Sequence, residues 1–261
     1  MYRYSPSVIL GWALLAGVLA GLLVALFHLF VTEPLLQRAI DLEAAHRQAA
    51  GQPPAYELFT RPEQRAGLFL GYLLYGVGWG LLFGVICSLM LMWTNQSREP
   101  RSAWKQLLWL VVICYWTVGL FPQLKYPANP PGVGSPATIT YRQELYLGCL
   151  VLSVLGSVLV LGLYHRLGQM GQKWQILKNM RLPFVLVVFF LCVGAIWLFM
   201  PPYPDPITLP LNLVMSFRWL SVGGTALFWF ALGGIFLLLW QREWSFSSKR
   251  TPQERNQTSV E

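Results

Sequence analysis

The sequence is poor in charge. Only 11% of its 261 residues are Asp, Glu, Lys or Arg, whereas soluble domains carry about 25%. Hydrophobic residues make up 55% of the chain and aromatic residues 15%. A soluble globule could not keep so much apolar surface away from water. The composition excludes a water-soluble enzyme, a nucleic-acid-binding domain and a disordered chain, and it leaves a polytopic membrane protein that contacts lipid.

Cysteine pairs and catalytic motifs are also missing. The four cysteines occur singly and no CxxC is present, which excludes a disulfide framework or a metal-thiolate cluster. The chain has no P-loop, no HExxH and no GxSxG, so we expect no enzymatic activity. The long apolar segments contain no Asp or Glu, which argues against a proton relay of carboxylates inside the membrane.

Six long apolar segments are present. They cover residues 8–31, 66–93, 104–121, 145–164, 183–200 and 212–240. Each is long enough to cross about 30 Å of hydrocarbon as a helix. The sequence therefore predicts an all-α integral membrane protein, a bundle of about six transmembrane helices. We expect residues 1–244 to form a single polytopic domain and 245–261 to form a disordered polar tail.

The distribution of Lys and Arg predicts the orientation. Placing the N-terminus inside puts 12 of the 19 Lys and Arg residues on the cytoplasmic side, so both termini are expected there. The same bias accounts for the net charge of +8 without a nucleic-acid partner. The first apolar segment exceeds the 7–15 residues of a cleaved signal core, which indicates an uncleaved anchor.

Two long loops fall on the outer side of this topology. Residues 32–65 contain the pattern of an amphipathic helix over 34–50, followed by a Gly and Pro breaker. Residues 122–144 hold five prolines between Pro122 and Pro136, which predicts a stiff, non-helical segment. This loop is either a connector or a rigid mouth of the helix bundle.

Small residues recur four apart within the apolar segments. The repeats are Gly17 and Gly21, then Gly67 and Gly71, then Gly76, Gly80 and Gly84, and finally Ser153 and Ser157. Such spacing favours close contact between helices. A pore lining is the alternative interpretation.

Imidazole and carboxylate groups occur near the first outer loop. His28 lies near the outer end of the first apolar segment, and Glu33 follows it. Glu43 and His46 share one face of the amphipathic helix, because they are three residues apart. Borderline metals such as Co²⁺ favour these ligands together, so the four residues are candidate metal ligands. The alternatives are an interfacial histidine bonded to a loop carbonyl and a solvated helix face.

Three cations stand out at the expected outer side. Lys125 and Arg142 flank the Pro-rich loop, where they would attract anions or pair with Glu33 or Glu144. Arg218 lies near the start of the last apolar segment. If the last helix begins near Leu211, Arg218 needs a partner carboxylate or a ring of carbonyls, and if the helix begins at Arg218, the residue is an interfacial anchor.

Four stretches carry a resemblance to a known family. They are TEPLLQRAIDLEAAH, RAGLFLGYLLYGVGWGLLFG, FPQLKYPANPPGVGSPATITYRQELY and SFRWLSVGGTALFW. In these stretches and in their order the chain resembles the CbtA family of cobalt transporter subunits. The matching motif positions are Glu33, Pro34, Glu43, His46, Lys125, Tyr126, Pro127, Asn129, Pro130, Pro131, Arg142 and Arg218.

The resemblance implies a membrane subunit of a cobalt transport system that supplies cobalamin synthesis. It implies a prokaryotic inner or internal membrane, Co²⁺ as the transported ion, no tightly bound cofactor and a small single-span partner similar to CbtB. The chain departs from the family in offering only His46 where a His-rich stretch is common, and Ser135 where an Asp is common. The alternative function is a non-transporting accessory or assembly subunit of a larger membrane complex.

Overall fold

The structure is a computed structural model that describes residues 5–53, 58–94, 100–170 and 175–257. Within these ranges all regular structure is helical, as the sequence predicts. The helices are α1 (Pro6–Phe27), α2 (Glu33–Ala49), α3 (Arg61–Thr94), α4 (Pro100–Cys114), α5 (Phe121–Lys125), α6 (Ile139–Gly168), α7 (Gln175–Asn179), α8 (Arg181–Phe199) and α9 (Leu211–Gln257). Wide π turns over His28–Thr32 and Tyr115–Leu120 join α1 to α2 and α4 to α5, and a 3₁₀ turn over Pro136–Thr138 precedes α6.

Six helical stretches are long and apolar enough to cross a membrane. They are Pro6–Ala49, Arg61–Met92, Trp104–Lys125, Pro136–Gly168, Arg181–Phe199 and Leu211–Arg242. They correspond one to one with the six predicted spans. The predicted class, a six-helix integral membrane protein, is thereby confirmed.

The helix ends follow local chemistry. Ser5 is extended and Pro6 occupies the first turn of α1, where its missing N–H costs nothing. At the start of α3, the Glu63 carboxylate accepts hydrogen bonds from the Thr60 backbone N–H at 2.7 Å and from its hydroxyl at 2.8 Å. After α8, Met200 becomes extended because two prolines follow it.

Two expectations from the sequence differ from the structure. Residues 122–144 are not all non-helical, because only 126–135 lie outside helical turns. Pro122 fits the first turn of α5 and Pro136 the first position of the 3₁₀ turn, where proline is tolerated. The expected disordered tail is helical as far as Gln257, since a helix that already exists extends at low cost. Residues 258–261 lie outside the described part of the chain.

The chain divides into two compact units, and the single polytopic domain over residues 1–244 stays a prediction. The first comprises Met1–Glu33, Ala55–Val112 and Gly223–Glu261. Its centre is the pair α1 and α3, whose glycine faces meet backbone to backbone. A Cβ on Gly80 would lie 2.6 Å from the Ala13 carbonyl oxygen, and Gly17 lies against Gly76. This confirms the predicted packing face, although Gly67 and Gly71 have open space beside them.

Aromatic pairs line the contact between α3 and α9 in the same unit. The ring centroids of Tyr75 and Phe228 lie 4.7 Å apart, and those of Trp79 and Trp229 lie 5.3 Å apart. Both pairs are edge-to-face, which is a favoured aromatic geometry.

The second unit comprises Pro34–Pro54 and Ile113–Val222. One of its cores joins Ala39 of α2 to Val133 of the Pro-rich loop, to Leu209 just before α9, and to Leu213 and Val214 in its first turn. The other core surrounds Phe121, Tyr126, Leu145 and Cys149. Ser157 of α6 also bonds Thr117 at 2.9 Å between hydroxyl oxygens. These contacts fix the Pro-rich loop on the helices around it.

Candidate functional site

His28 lies in the wide turn between α1 and α2 and is only 8% exposed. Its Nδ1 bonds the Thr32 hydroxyl at 2.9 Å, and its ring stacks on Tyr72 with centroids 5.1 Å apart. The opposite edge of the ring faces Gly224 of α9, where a Cβ would lie 2.7 Å from Cε1. The imidazole is therefore enclosed on both edges. Its hydrogen-bond partner is the Thr32 side chain and not a loop carbonyl.

Glu33 follows this turn and is 9% exposed. Its Oε1 accepts hydrogen bonds from Arg61 Nη2 at 2.7 Å and from Arg65 Nε at 2.9 Å. These two arginines begin α3, so the carboxylate ties the start of α2 to the start of α3. The sequence considered Glu33 as a partner of Lys125 or Arg142. That pairing is wrong for Glu33, because its carboxylate is paired with Arg61 and Arg65.

Glu43 and His46 lie on one face of α2, as predicted. Glu43 pairs with Arg47 at 3.3 Å, and His46 is exposed. Within either unit, no three His, Cys, Asp or Glu side chains among the described residues are grouped as a metal site. The assignment of His28, Glu33, Glu43 and His46 as ligands stays a prediction.

Arg142 is the centre of an ionic cluster in the second unit. Its Nε lies 3.3 Å from Asp205 Oδ2, and its Nη1 donates to the Tyr203 hydroxyl at 2.9 Å. Its Nη2 donates to the Ser135 carbonyl at 3.1 Å, and Thr138 donates to Asp205 at 2.7 Å. Arg142 thus pairs with Asp205, which corrects the expected pairing with Glu33 or Glu144. The cluster joins the Pro-rich loop to the segment between α8 and α9.

Arg218 lies on α9, which begins at Leu211 rather than at Arg218. Its Nε and Nη2 donate to Asn129 Oδ1 at 3.1 and 2.8 Å. Arg218 is half-buried, and its partner is a side-chain amide of the Pro-rich loop. The helix starts early, as the first alternative from the sequence has it, but the partner of Arg218 is one side-chain amide and not the expected carboxylate or ring of carbonyls.

The other motif residues hold the loop in place. Lys125 Nζ donates to the Trp197 carbonyl at 2.8 Å and lies 5.3 Å from the centroid of the Trp197 ring. Tyr126 donates to the Pro201 carbonyl at 2.6 Å. Burial raises the pKa of the Tyr126 phenol, so this hydroxyl stays protonated and donates at neutral pH.

The loop prolines differ in exposure. Pro130 is fully buried, whereas Pro127 and Pro131 are half-buried. Gly132 and Gly134, with φ of 82° and 99°, allow the left-handed turns that follow. Thr208 donates to the Gly132 carbonyl at 2.7 Å, which secures the end of this turn.

Sequence reasoning missed several residues of these clusters. Asp205 and Tyr203 lie in the second Pro-rich segment, after α8, and Arg61 and Arg65 lie at the start of α3. A signal for the first two was available. Six spans place residues 200–210 on the same side of the membrane as the first Pro-rich loop, and Asp205 is the one carboxylate there.

The fold and these clusters define a polytopic helical membrane protein whose non-helical loop is bound by ionic and amide contacts. The family model for CbtA, described as a probable cobalt transporter subunit, matches residues 7–241. The chain therefore belongs to the CbtA family of transporter subunits. No curated protein and no solved structure matches the chain.

Proposed function

We propose that the chain is the membrane subunit of a system that transports cobalt as the divalent ion in a prokaryotic inner membrane. The observation that carries the proposal is the family match, which extends over all six membrane-spanning helices. Co²⁺ is the cargo in this proposal, and the protein needs no tightly bound cofactor.

The proposed orientation places both termini in the cytoplasm, following the excess of Lys and Arg on that side. It can be tested in a variant that lacks the four native cysteines. Ala137→Cys and Gln169→Cys introduce exposed thiols before and after α6. An impermeant maleimide should label intact cells at 137 and not at 169. The reverse pattern would invert the topology.

The proposed ligands remain His28, Glu33, Glu43 and His46. Imidazole and carboxylate are the ligand types that suit Co²⁺. Both carboxylates are paired with arginine through Oε1, so an arriving ion competes with the guanidinium charge at each. His46 is exposed and is the ligand that an ion can reach first. Capture should weaken in acid, because a protonated imidazole cannot bind metal.

A second candidate function is a non-transporting accessory or assembly subunit of a larger membrane complex. The observation that favours it is the exposure of α8, of which only 6% is buried within the chain. Lipid or another protein covers such a face in a membrane. In the transport proposal the partner is a small single-span protein similar to CbtB.

Cobalt accumulation under cobalt limitation distinguishes the two functions. Cells with the gene should accumulate more radiolabelled cobalt than cells without it, and His46→Ala should remove most of the difference. Gln48→Ala, an exposed change on the same helix, is the control at matched expression. If the gene makes no difference and the protein purifies in fixed ratio with a large complex, the accessory function replaces transport.

A double His28→Ala and His46→Ala variant extends this test to the buried histidine. It should lose gene-dependent accumulation, and Glu43→Gln should lose part of it. Accumulation equal to that of the wild type in the double variant would show that the histidines are not the capture site.

A further inference from the structure

The second unit contains an open pocket of about 660 Å³ beside the Pro-rich loop. Asn129 and Tyr126 of that loop, Arg142 and Tyr146 at the start of α6, and Tyr203 contribute to its wall. Pockets for small ligands have volumes of about 300–1,000 Å³. The pocket is large enough for a small organic molecule or a lipid headgroup.

None of the lining residues is Asp or Glu, and the amide, hydroxyl and guanidinium groups of the wall can all donate hydrogen bonds. Because Asn129 Oδ1 accepts two hydrogen bonds from Arg218, the Nδ2 of Asn129 is the group that remains for a ligand. The Tyr203 hydroxyl accepts from Arg142, which leaves its own proton to donate. Tyr146 makes no hydrogen bond through its hydroxyl with the part of the chain that the structure describes.

The charge near the wall is positive. The charge of Arg142 is balanced by Asp205. Two further cations pair with no carboxylate among the described residues. They are Arg218, which binds Asn129, and Lys125, which precedes Tyr126. Glu144 is exposed and is not part of the wall. Donors with unbalanced cations behind them favour a ligand that carries acceptors and negative charge.

We propose that this pocket binds a small oxyanion, a carboxylate or phosphate group, through Asn129, Tyr146 and Tyr203. A bare divalent cation is the wrong ligand for it, since the wall offers no carboxylate or imidazole. The oxyanion has two possible sources, a free small anion and the phosphate of a lipid headgroup. The proposal stands apart from cobalt transport, because it rests on the wall of the pocket alone.

The experiment uses the purified full chain in detergent. Equilibrium dialysis with labelled citrate and with inorganic phosphate tests a free anion. Native mass spectrometry after exposure to phosphatidylglycerol or phosphatidylcholine tests a lipid headgroup. We expect saturable binding of citrate or phosphate for the first source, and selective retention of phosphatidylglycerol for the second.

Asn129→Asp is the informative variant. The aspartate keeps an acceptor for Arg218, so the melting temperature should not fall, but it replaces the donor with a negative charge. Binding should weaken at least about tenfold. Asn179→Asp makes the same change at the end of α7 and should bind like the wild type. Tyr146→Phe removes one hydroxyl and should weaken binding about threefold or more.

The proposal is overturned if the wild type binds none of these probes, or if Asn129→Asp and Tyr146→Phe bind as the wild type does. Binding with no gene-dependent cobalt accumulation would leave the pocket assigned and the transport function refuted. Gene-dependent cobalt accumulation without binding of any probe would support the transport function and refute the anion pocket.

Discussion

Arg218 binds Asn129 through two hydrogen bonds: its Nε and Nη2 both donate to Asn129 Oδ1, at 3.1 and 2.8 Å. Through it α9 holds the Pro-rich loop from within a membrane-spanning helix. Because the loop is non-helical, its backbone lacks the hydrogen bonds of a helix and depends on such contacts for a fixed shape.

This contact predicts a loss of stability in Arg218→Leu. Hydrogen bonds to a charged group contribute about 1.5–3 kcal/mol each, and a half-buried site retains part of this. We expect a loss of about 1–3 kcal/mol in the free energy of unfolding, measured by thermal or denaturant unfolding in detergent. Arg242→Leu, an exposed change on the same helix, is the control. Equal losses in the two variants would assign Arg218 to the interface instead.

The close contact between the glycine faces of α1 and α3 predicts that a larger residue at Gly80 is harmful, and Gly78 provides a control two residues away. Gly80→Ala places a methyl group 2.6 Å from the Ala13 carbonyl oxygen, whereas Gly78 has open space. Overpacking costs about 1–3 kcal/mol. Gly80→Ala should therefore lower folded yield and melting temperature, and Gly78→Ala should leave both unchanged or slightly higher. Similar behaviour of the two variants would mean that the helices are not in close contact.

We predict that position 224 must be glycine because the imidazole of His28 occupies the space where a side chain would begin. A methyl group there would lie 2.7 Å from Cε1, but the adjacent Gly223 has no neighbour within 4 Å. Gly224→Ala should lower the melting temperature and Gly223→Ala should not. Adding His28→Ala should rescue Gly224→Ala, because the collision disappears with the ring. Failure of the rescue would place the defect in the helix backbone rather than at His28.

The ion pair of Arg142 and Asp205 should have a larger coupling energy than the more exposed pair of Arg47 and Glu43. The Asp205 side chain is 7% exposed, whereas that of Glu43 is 30% exposed. A double-mutant cycle with Arg142→Gln and Asp205→Asn should give a coupling energy of about 1–3 kcal/mol. The same cycle on the α2 pair should give about 0.3–0.5 kcal/mol. Equal coupling energies would show that the Arg142 cluster is no better than a solvated pair.

The sequence predicts the spans and their packing face well because both depend on local composition. A run of apolar residues has to be helical in lipid, whatever surrounds it. The spacing of Gly76, Gly80 and Gly84 puts them on one helix face, and the structure confirms the contact of this face with α1. Gly67 and Gly71 have the same spacing but no neighbour, because spacing alone does not say where the partner helix passes.

The partners of the charged residues could not be predicted in this way. The sequence indicates that Arg218 can need a partner and that Arg142 can pair with Glu33 or Glu144. It predicts none of the observed partners, which are Arg61 for Glu33, Asp205 for Arg142 and Asn129 for Arg218. In each pair the two members lie far apart in the chain. Their meeting depends on which loop returns to which helix end, and no periodicity records it.

The sequence by itself determined the membrane class, the six spans, the helical face of small residues and the family, since each of these is written in local composition or in contiguous motifs. The tertiary structure decided that Glu33 pairs with Arg61 and Arg65 and Asp205 with Arg142, how His28 is held between Thr32 and Gly224, and where a pocket opens beside Asn129. The physical reason is that hydrophobic burial acts along each segment separately, whereas a hydrogen bond or ion pair needs two atoms within about 3 Å, and only the packed chain brings them there.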